Sequence, residues 1–202
     1  MTQVRTYRGV EAPQRMADRR RRFIEAGLDL LGGSTEELTV RAICRQSGVA
    51  TRHFYEAFTD KDEFVAAVFD SVITEVATTT QAAVAAVPVA EQNRAGITNL
   101  VQTVGEDTRV GRLLFDPHLS NAVVMRKRAD LGGVFAILAG QHLQAALQRA
   151  ENPHIKAVAH FVVGGVSQTI NAWLTGTIEF GRDELIDQLT TLLDGFADPR
   201  LY

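Results

Sequence analysis

One cysteine, Cys44, stands in a chain of 202 residues, so no disulfide can form within it. A redox role would need an exposed thiol, and Cys44 is read instead as a small apolar residue facing a core. Long apolar runs are missing too. No stretch of about 18 uncharged apolar residues suggests a membrane span. Residues 1–22 are polar and Arg-rich and lack the apolar run of a secretory signal, which makes a cytoplasmic location the expectation. There are no runs of alternating β-branched residues joined by hairpin turns, no internal repeats, and no low-complexity segment beyond an Ala/Thr/Val-rich patch at residues 76–90. Signatures of catalysis are equally scarce. His118, His142, His154 and His160 lack the His-x-x-x-His spacing of helical metal ligands, and there is no Gly-x-Ser-x-Gly and no Walker loop. Gly132-Gly133 and Gly164-Gly165 lack the strand–loop–helix setting of nucleotide sites. The expectation is a chain that is not an enzyme and that uses neither cofactor nor metal. An all-helical enzyme would need a polar cluster in the C-terminal half, and none is visible.

Hydrophobic residues make up 46% of the chain, enough for a sizeable core in one large domain or two smaller ones. The net charge of -3 is unevenly spread. Residues 1–22 carry seven basic and two acidic side chains, whereas residues 63–202 carry 10 basic and 15 acidic. A basic N-terminal segment ahead of an acidic body points to a polyanionic partner at one end.

Apolar periodicity predicts about nine helices, giving an all-α fold. The first covers residues 16–31 and ends at Gly32-Gly33. The second covers 40–46, with Thr39 as N-cap. After the turn Ser47-Gly48-Val49, the third covers 51–57. The fourth opens at Asp60, which Glu63 can answer as in a capping box, and runs to residue 85. Further helices are expected over residues 90–105, 108–115 and 121–150, the last with an irregularity at Gly132-Gly133. Asn152-Pro153 opens an eighth, to residue 175, and a ninth covers 183–195.

Three short helices in some 45 residues, with glycine in the second turn, form a helix-turn-helix pattern. Val40, Ile43, Val49, Phe54 and Phe58 are spaced to build a miniature core with Phe23 and Leu30. That core would fix the third helix while its opposite face, with Thr51, Arg52, His53 and Glu56, stays polar and free to enter a major groove. Arg52 suits bidentate donation to guanine. Thr51 and His53 suit bases or phosphates, and the Tyr55 hydroxyl suits a phosphate. Lys61 and Thr39 begin helices, where backbone N–H groups already favour an anion.

Residues 19–64 resemble the DNA-binding domain of the TetR family of bacterial regulators. The resemblance lies in Ile24 and Ala26, in Thr39-Val40-Arg41, in Ile43, in Gly48-Val49, and in Phe54-Tyr55, Phe58, Lys61 and Glu63. It covers about a quarter of the chain. Two positions depart from it. Ala50 stands where serine usually caps the recognition helix, so Thr51 either takes over the cap or reads a base. Ser47 stands where alanine is common.

The resemblance implies a flexible basic arm at residues 1–18, a helix-turn-helix domain at 19–64, and a helical effector-binding and dimerisation domain at 65–202. It implies a homodimer built from the last two helices, seated on a near-palindromic double-stranded operator. It also implies a pocket for a mostly apolar small molecule. Inward-facing candidates for that pocket are Leu100, Val104, Leu114, Phe115, Phe135, Leu138, His142, Phe161, Gln168 and Trp173. The expected function is a transcriptional regulator, a repressor released by its ligand. The alternative is a helix-turn-helix protein with no small-molecule effector.

Overall fold

The computed structural model describes residues 12–33 and 37–201. Among these the fold is all-helical: α1 (Ala12–Gly32), α2 (Val40–Ser47), α3 (Thr51–Ala57), α4 (Lys61–Ala85), α5 (Gln92–Glu106), α6 (Thr108–Phe115), α7 (Ala122–Leu147), α8 (Pro153–Leu174) and α9 (Arg182–Gly195). Short 3-10 turns lie at Val89–Glu91 and Pro199–Leu201.

The helix starts follow the side chains expected to cap them. Asp60 accepts from the Glu63 amide at 2.8 Å, and Asn152 accepts from His154 and Ile155 at 3.0 and 3.1 Å ahead of Pro153. Glu63 does not reach back to Asp60. Its carboxylate accepts from the amide and hydroxyl of Thr59, at 2.7 and 2.6 Å. These bonds hold its pKa below the ordinary range.

Three expectations are corrected. α1 begins at Ala12, so residues 12–18 of the predicted arm are helical, while residues 1–11 lie outside the described residues. α7 ends at Leu147 rather than near residue 150, because Gln148 turns left-handed at φ 52°. Gly132-Gly133 causes no break. α7 runs through both, since a glycine pair weakens a helix without removing any backbone donor.

One apolar core runs from Phe23 to Leu189. α1 packs against α2, α4 and α6, α5 lies between α4 and α9, and α8 packs along α7 and touches α6. α4 is continuous across residues 64–65, where the domain boundary was expected. Its first turns, with Phe64 and Val68, belong to the helix-turn-helix core, and the rest packs on α5 and α7. α8, apolar nearly all round, buries Ile155, Ala159 and Ile170 and leaves Phe161, Gly164, Gly165 and Gln168 exposed.

Candidate nucleic-acid interface

The recognition helix is aimed by an aromatic cluster. Phe23, Phe54, Phe58 and Phe64 are all buried. Phe54 lies 5.7 Å from Phe23, 5.4 Å from Phe58 and 5.5 Å from Phe64, in edge-on or tilted arrangements. Edge-on rings attract beyond what their buried area contributes. Gly27 admits α4 to this cluster: a Cβ there would sit 2.4 Å from Val68 Cγ2 and 2.6 Å from Phe64 Cζ.

The turn between α2 and α3 is fixed from both sides. Gly48 adopts φ 64°, a left-handed conformation that suits glycine. Beside it, Arg22 donates to the Ser47 carbonyl at 2.6 Å. The Ser47 hydroxyl accepts from the Val49 amide at 3.3 Å, so serine at this position satisfies a buried donor that alanine would leave open. Arg20 donates to the Ala57 carbonyl at 2.9 Å at the far end of α3 and lies over the Phe58 ring at 4.5 Å. Two arginines of the basic segment therefore brace the recognition helix. The sequence displayed them, but their composition suggested only a contribution to positive charge.

Ala50 is the N-cap of α3 and supplies no side-chain bond. Thr51 is the first helical residue and does not take over the cap. Its side chain is exposed, as are those of Arg52 and Tyr55. Tyr55 keeps 60% of its surface while its ring packs edge-on against Phe54 at 5.4 Å. His53 is less open. Its Nδ1 lies 2.7 Å from a Glu56 carboxylate oxygen, and its Nε2 accepts from Arg52 Nε at 3.3 Å. The bond from His53 lowers the pKa of Glu56, keeping it ionised. Arg52 thus presents its terminal nitrogens from a guanidinium steadied by a neighbour. Thr39 caps α2 by accepting from the Ala42 amide at 3.1 Å, which leaves its hydroxyl proton to donate. Lys61 is exposed at the first position of α4.

Residues 23–68 match the family model described as bacterial regulatory proteins, tetR family. Over these residues the helix-turn-helix unit is similar to that of the TetR family. The matched span includes the aromatic cluster, the braced turn and the exposed face of α3. For the whole chain the likeness is one of fold. The fatty acid degradation regulator FadR from Bacillus halodurans is 14% identical, with a TM-score of 0.72 over 90% of this chain and 96% of that one. The transcriptional regulator FadR from Bacillus subtilis, solved in complex with stearoyl-CoA, is 14% identical, with a TM-score of 0.69 over 88% and 97%. A TetR-like regulator from Rhodococcus sp. RHA1 is 18% identical, with a TM-score of 0.67 over 94% and 99%. No curated protein matches the chain in sequence.

Beyond this helix-turn-helix unit, the structure does not gather the ten predicted pocket residues. Val104 and Leu114 are buried, and Leu100, Phe115 and Trp173 pack against the same continuous core. Trp173 also donates its indole N–H to the Phe180 carbonyl at 2.9 Å, which pins the link to α9. Phe135, Leu138, His142, Phe161 and Gln168 are exposed on α7 and α8. Cys44 is partly buried against the core. Among the described residues, no cluster of three metal-ligating side chains occurs and no helix is long and apolar enough to cross a membrane.

Two arginines missed by the sequence reading organise the junction with the rest of the chain. Arg109, on α6, bonds Glu25 at 2.7 Å, Asp107 at 2.6 Å and Asp29. Asp29 also accepts from Gln46 of α2 at 2.8 Å. The Arg109 bonds hold the Asp107 carboxyl below its ordinary pKa. Arg128 donates to the carbonyls of Leu113 and Asp116 at 2.9 and 2.7 Å and closes the end of α6. Burial lowers the pKa of this half-covered guanidinium. The Arg109 bonds to Glu25 and Asp29 join residues 80 or more apart in sequence, those of Arg128 go to backbone carbonyls, and neither kind leaves a local pattern.

Proposed function

We propose that the chain is a sequence-specific DNA-binding transcriptional regulator, a repressor that leaves its operator when a mostly apolar small molecule binds. The observation that carries this reading is the division of α3. Phe54 is locked in an aromatic core, while Thr51, Arg52 and Tyr55 remain exposed on a helix of fixed direction. Such a helix enters a major groove with Arg52 as the base reader and with Tyr55, Thr39 and Lys61 on phosphates. His53 holds Arg52 and adds its own contact.

The partner of the chain is a second copy of itself. Phe161 keeps 67% of its surface and meets Phe196 edge-on at 5.8 Å, and Leu192 keeps 50%. Next to Phe161 on α8, Gly164 and Gly165 have nothing within 4 Å of where a Cβ would stand, so a partner helix can approach closely. Two recognition helices related by a two-fold axis read a near-palindromic operator, in half-sites about 34 Å apart or somewhat more. The stearoyl-CoA bound by the Bacillus subtilis neighbour supports an apolar effector for this fold. A ligand that fits one arrangement of the two units better than the other shifts the population between them.

A gel-shift assay against the DNA flanking the chain's own gene tests the reading. The expected result is a shift that survives excess random DNA and weakens in Arg52→Ala and Tyr55→Phe. Binding no tighter than to random DNA, and indifferent to both substitutions, refutes it.

A further inference from the structure

A cavity of about 650 Å³ contains none of the ten residues expected to line a ligand pocket. It lies where the helix-turn-helix unit meets the larger helical body. Leu31 and Gly32 form one wall at the end of α1, and α6 and the end of α8 form the others. α6 contributes Thr108, Gly111 and Arg112, and the end of α8 contributes Asn171, Leu174 and the C-cap residue Thr175. Each set has the three- and four-residue spacing of a single helical face. The two helices nearly touch at the base, since a Cβ on Gly111 would sit 2.7 Å from Leu174 Cδ1. The volume falls in the range that takes small-molecule ligands.

The chemistry of the walls selects the ligand. Leu31, Leu119 and Leu174 give an apolar base. Arg112 has only a long 3.4 Å bond to the Gly32 carbonyl and no ion pair among the described residues, so its guanidinium is a donor in need of an acceptor. The Asn171 amide and the His118 ring stand in the same lining without a side-chain partner among the described residues. Asp116 is the one carboxylate in the lining. It accepts from the His118 amide at 2.8 Å, and the positive charge of Arg128 acts on it, so it is already answered. Within α1, the acids Glu25 and Asp29 are bound by Arg109. Among the described residues Arg112 is therefore the surplus charge of the cleft.

We infer that this cleft is a binding site for a small monocarboxylate with an aromatic or aliphatic body, its carboxylate on Arg112 and its body over Leu31, Leu119 and Leu174. The occupant touches both units at once, so its binding depends on how they sit relative to one another. Any such preference appears equally in DNA affinity, because coupling between two sites is reciprocal. This regulatory consequence rests on the function proposed above, whereas the binding itself does not.

The test is calorimetry on the full-length chain without DNA, using phenylacetate, 4-phenylbutyrate and octanoate, each against its primary amide. The expected result is that at least one acid binds and that its amide binds about tenfold more weakly or worse, the scale of a lost charge-assisted hydrogen bond. Arg112→Ala is expected to weaken the acid to the same degree, with Arg112→Lys recovering part of the loss. Circular dichroism melting confirms that the variants fold. If no acid binds, if acid and amide bind alike, or if Arg112→Ala binds as well as the parent, the inference is overturned. The gel shift on the same preparations separates the two readings: operator binding without carboxylate binding sinks only the cleft.

Discussion

Adding one methyl group to a helix has opposite consequences at different glycines of this chain. In α7, a Cβ at Gly132 or Gly133 would meet nothing within 4 Å. Only the backbone effect remains there, and alanine favours the helix over glycine by about 0.5–1 kcal/mol. At Gly27 the same backbone gain is opposed by packing. The new carbon would lie 2.4 Å from Val68 Cγ2 and 2.6 Å from Phe64 Cζ, and both side chains are completely buried. Val68 is β-branched and has one comfortable rotamer in a helix. Phe64 is held by Phe54 and Phe58 at 5.5 and 5.1 Å. Overpacking of this kind costs about 1–3 kcal/mol, so Gly27→Ala loses up to about 2 kcal/mol after the helix gain is subtracted. Urea unfolding reads the sign directly through midpoints at equal slope. Gly132→Ala and Gly133→Ala are expected to raise the midpoint, and Gly27→Ala to lower it. In thermal melts each kcal/mol moves Tm by about 2–4 °C in a chain of this size. A Gly27→Ala protein as stable as the α7 variants would mean that α1 and α4 do not meet as closely as described.

Arg52→Ala should weaken operator binding by about 1–3 kcal/mol, roughly five- to 150-fold, as read by fluorescence anisotropy. It should leave the unfolding free energy within about 0.5 kcal/mol, since the side chain is exposed. Phe54→Ala should cost about 3–5 kcal/mol of stability and abolish the gel shift together with the fold of the unit, which tryptic digestion of residues 12–60 would reveal. Asp107→Asn keeps a capping side chain on α6 but removes its charge opposite Arg109. Because the folded pKa of Asp107 is depressed, its ionisation stabilises the fold above the unfolded value of about 3.9, and this is lost as pH falls through the folded value. The gap in stability between parent and variant should be full at pH 7 and close in acid, and a pH-independent gap would contradict the assignment. Gly164→Leu should convert a dimer to a monomer in analytical ultracentrifugation while preserving helicity, whereas an unchanged mass would remove this face from the interface.

Much of the fold was legible because its signals are local. Asp60 and Asn152 cap helices through amides two or three residues ahead, so their roles appear in any short window of sequence. The periodic apolar positions of α2 and α3 likewise pointed Ile43 and Phe54 inward, and both are buried. The proposed DNA face was legible for a related reason: once Phe54 points inward, helical geometry turns Arg52 and Tyr55 away from the core. Thr51 could not be placed from sequence, because an alanine N-cap and a threonine N-cap differ by one residue of register. The backbone decided it, with Ala50 extended and Thr51 already helical.

What the sequence determined by itself was therefore the set of nine helices among the described residues, the buried aromatic side of the recognition helix and its polar side. Each follows from neighbours within a turn or two of the chain. The tertiary structure decided which arginines serve the surface and which serve the frame. Arg20 and Arg22 brace the recognition helix, Arg109 ties α6 to α1 across some 80 residues, and Arg112 is left facing a cleft. An arginine carries the same charge in every sequence context. Only the carbonyls and carboxylates brought to it by folding determine which of these roles it has.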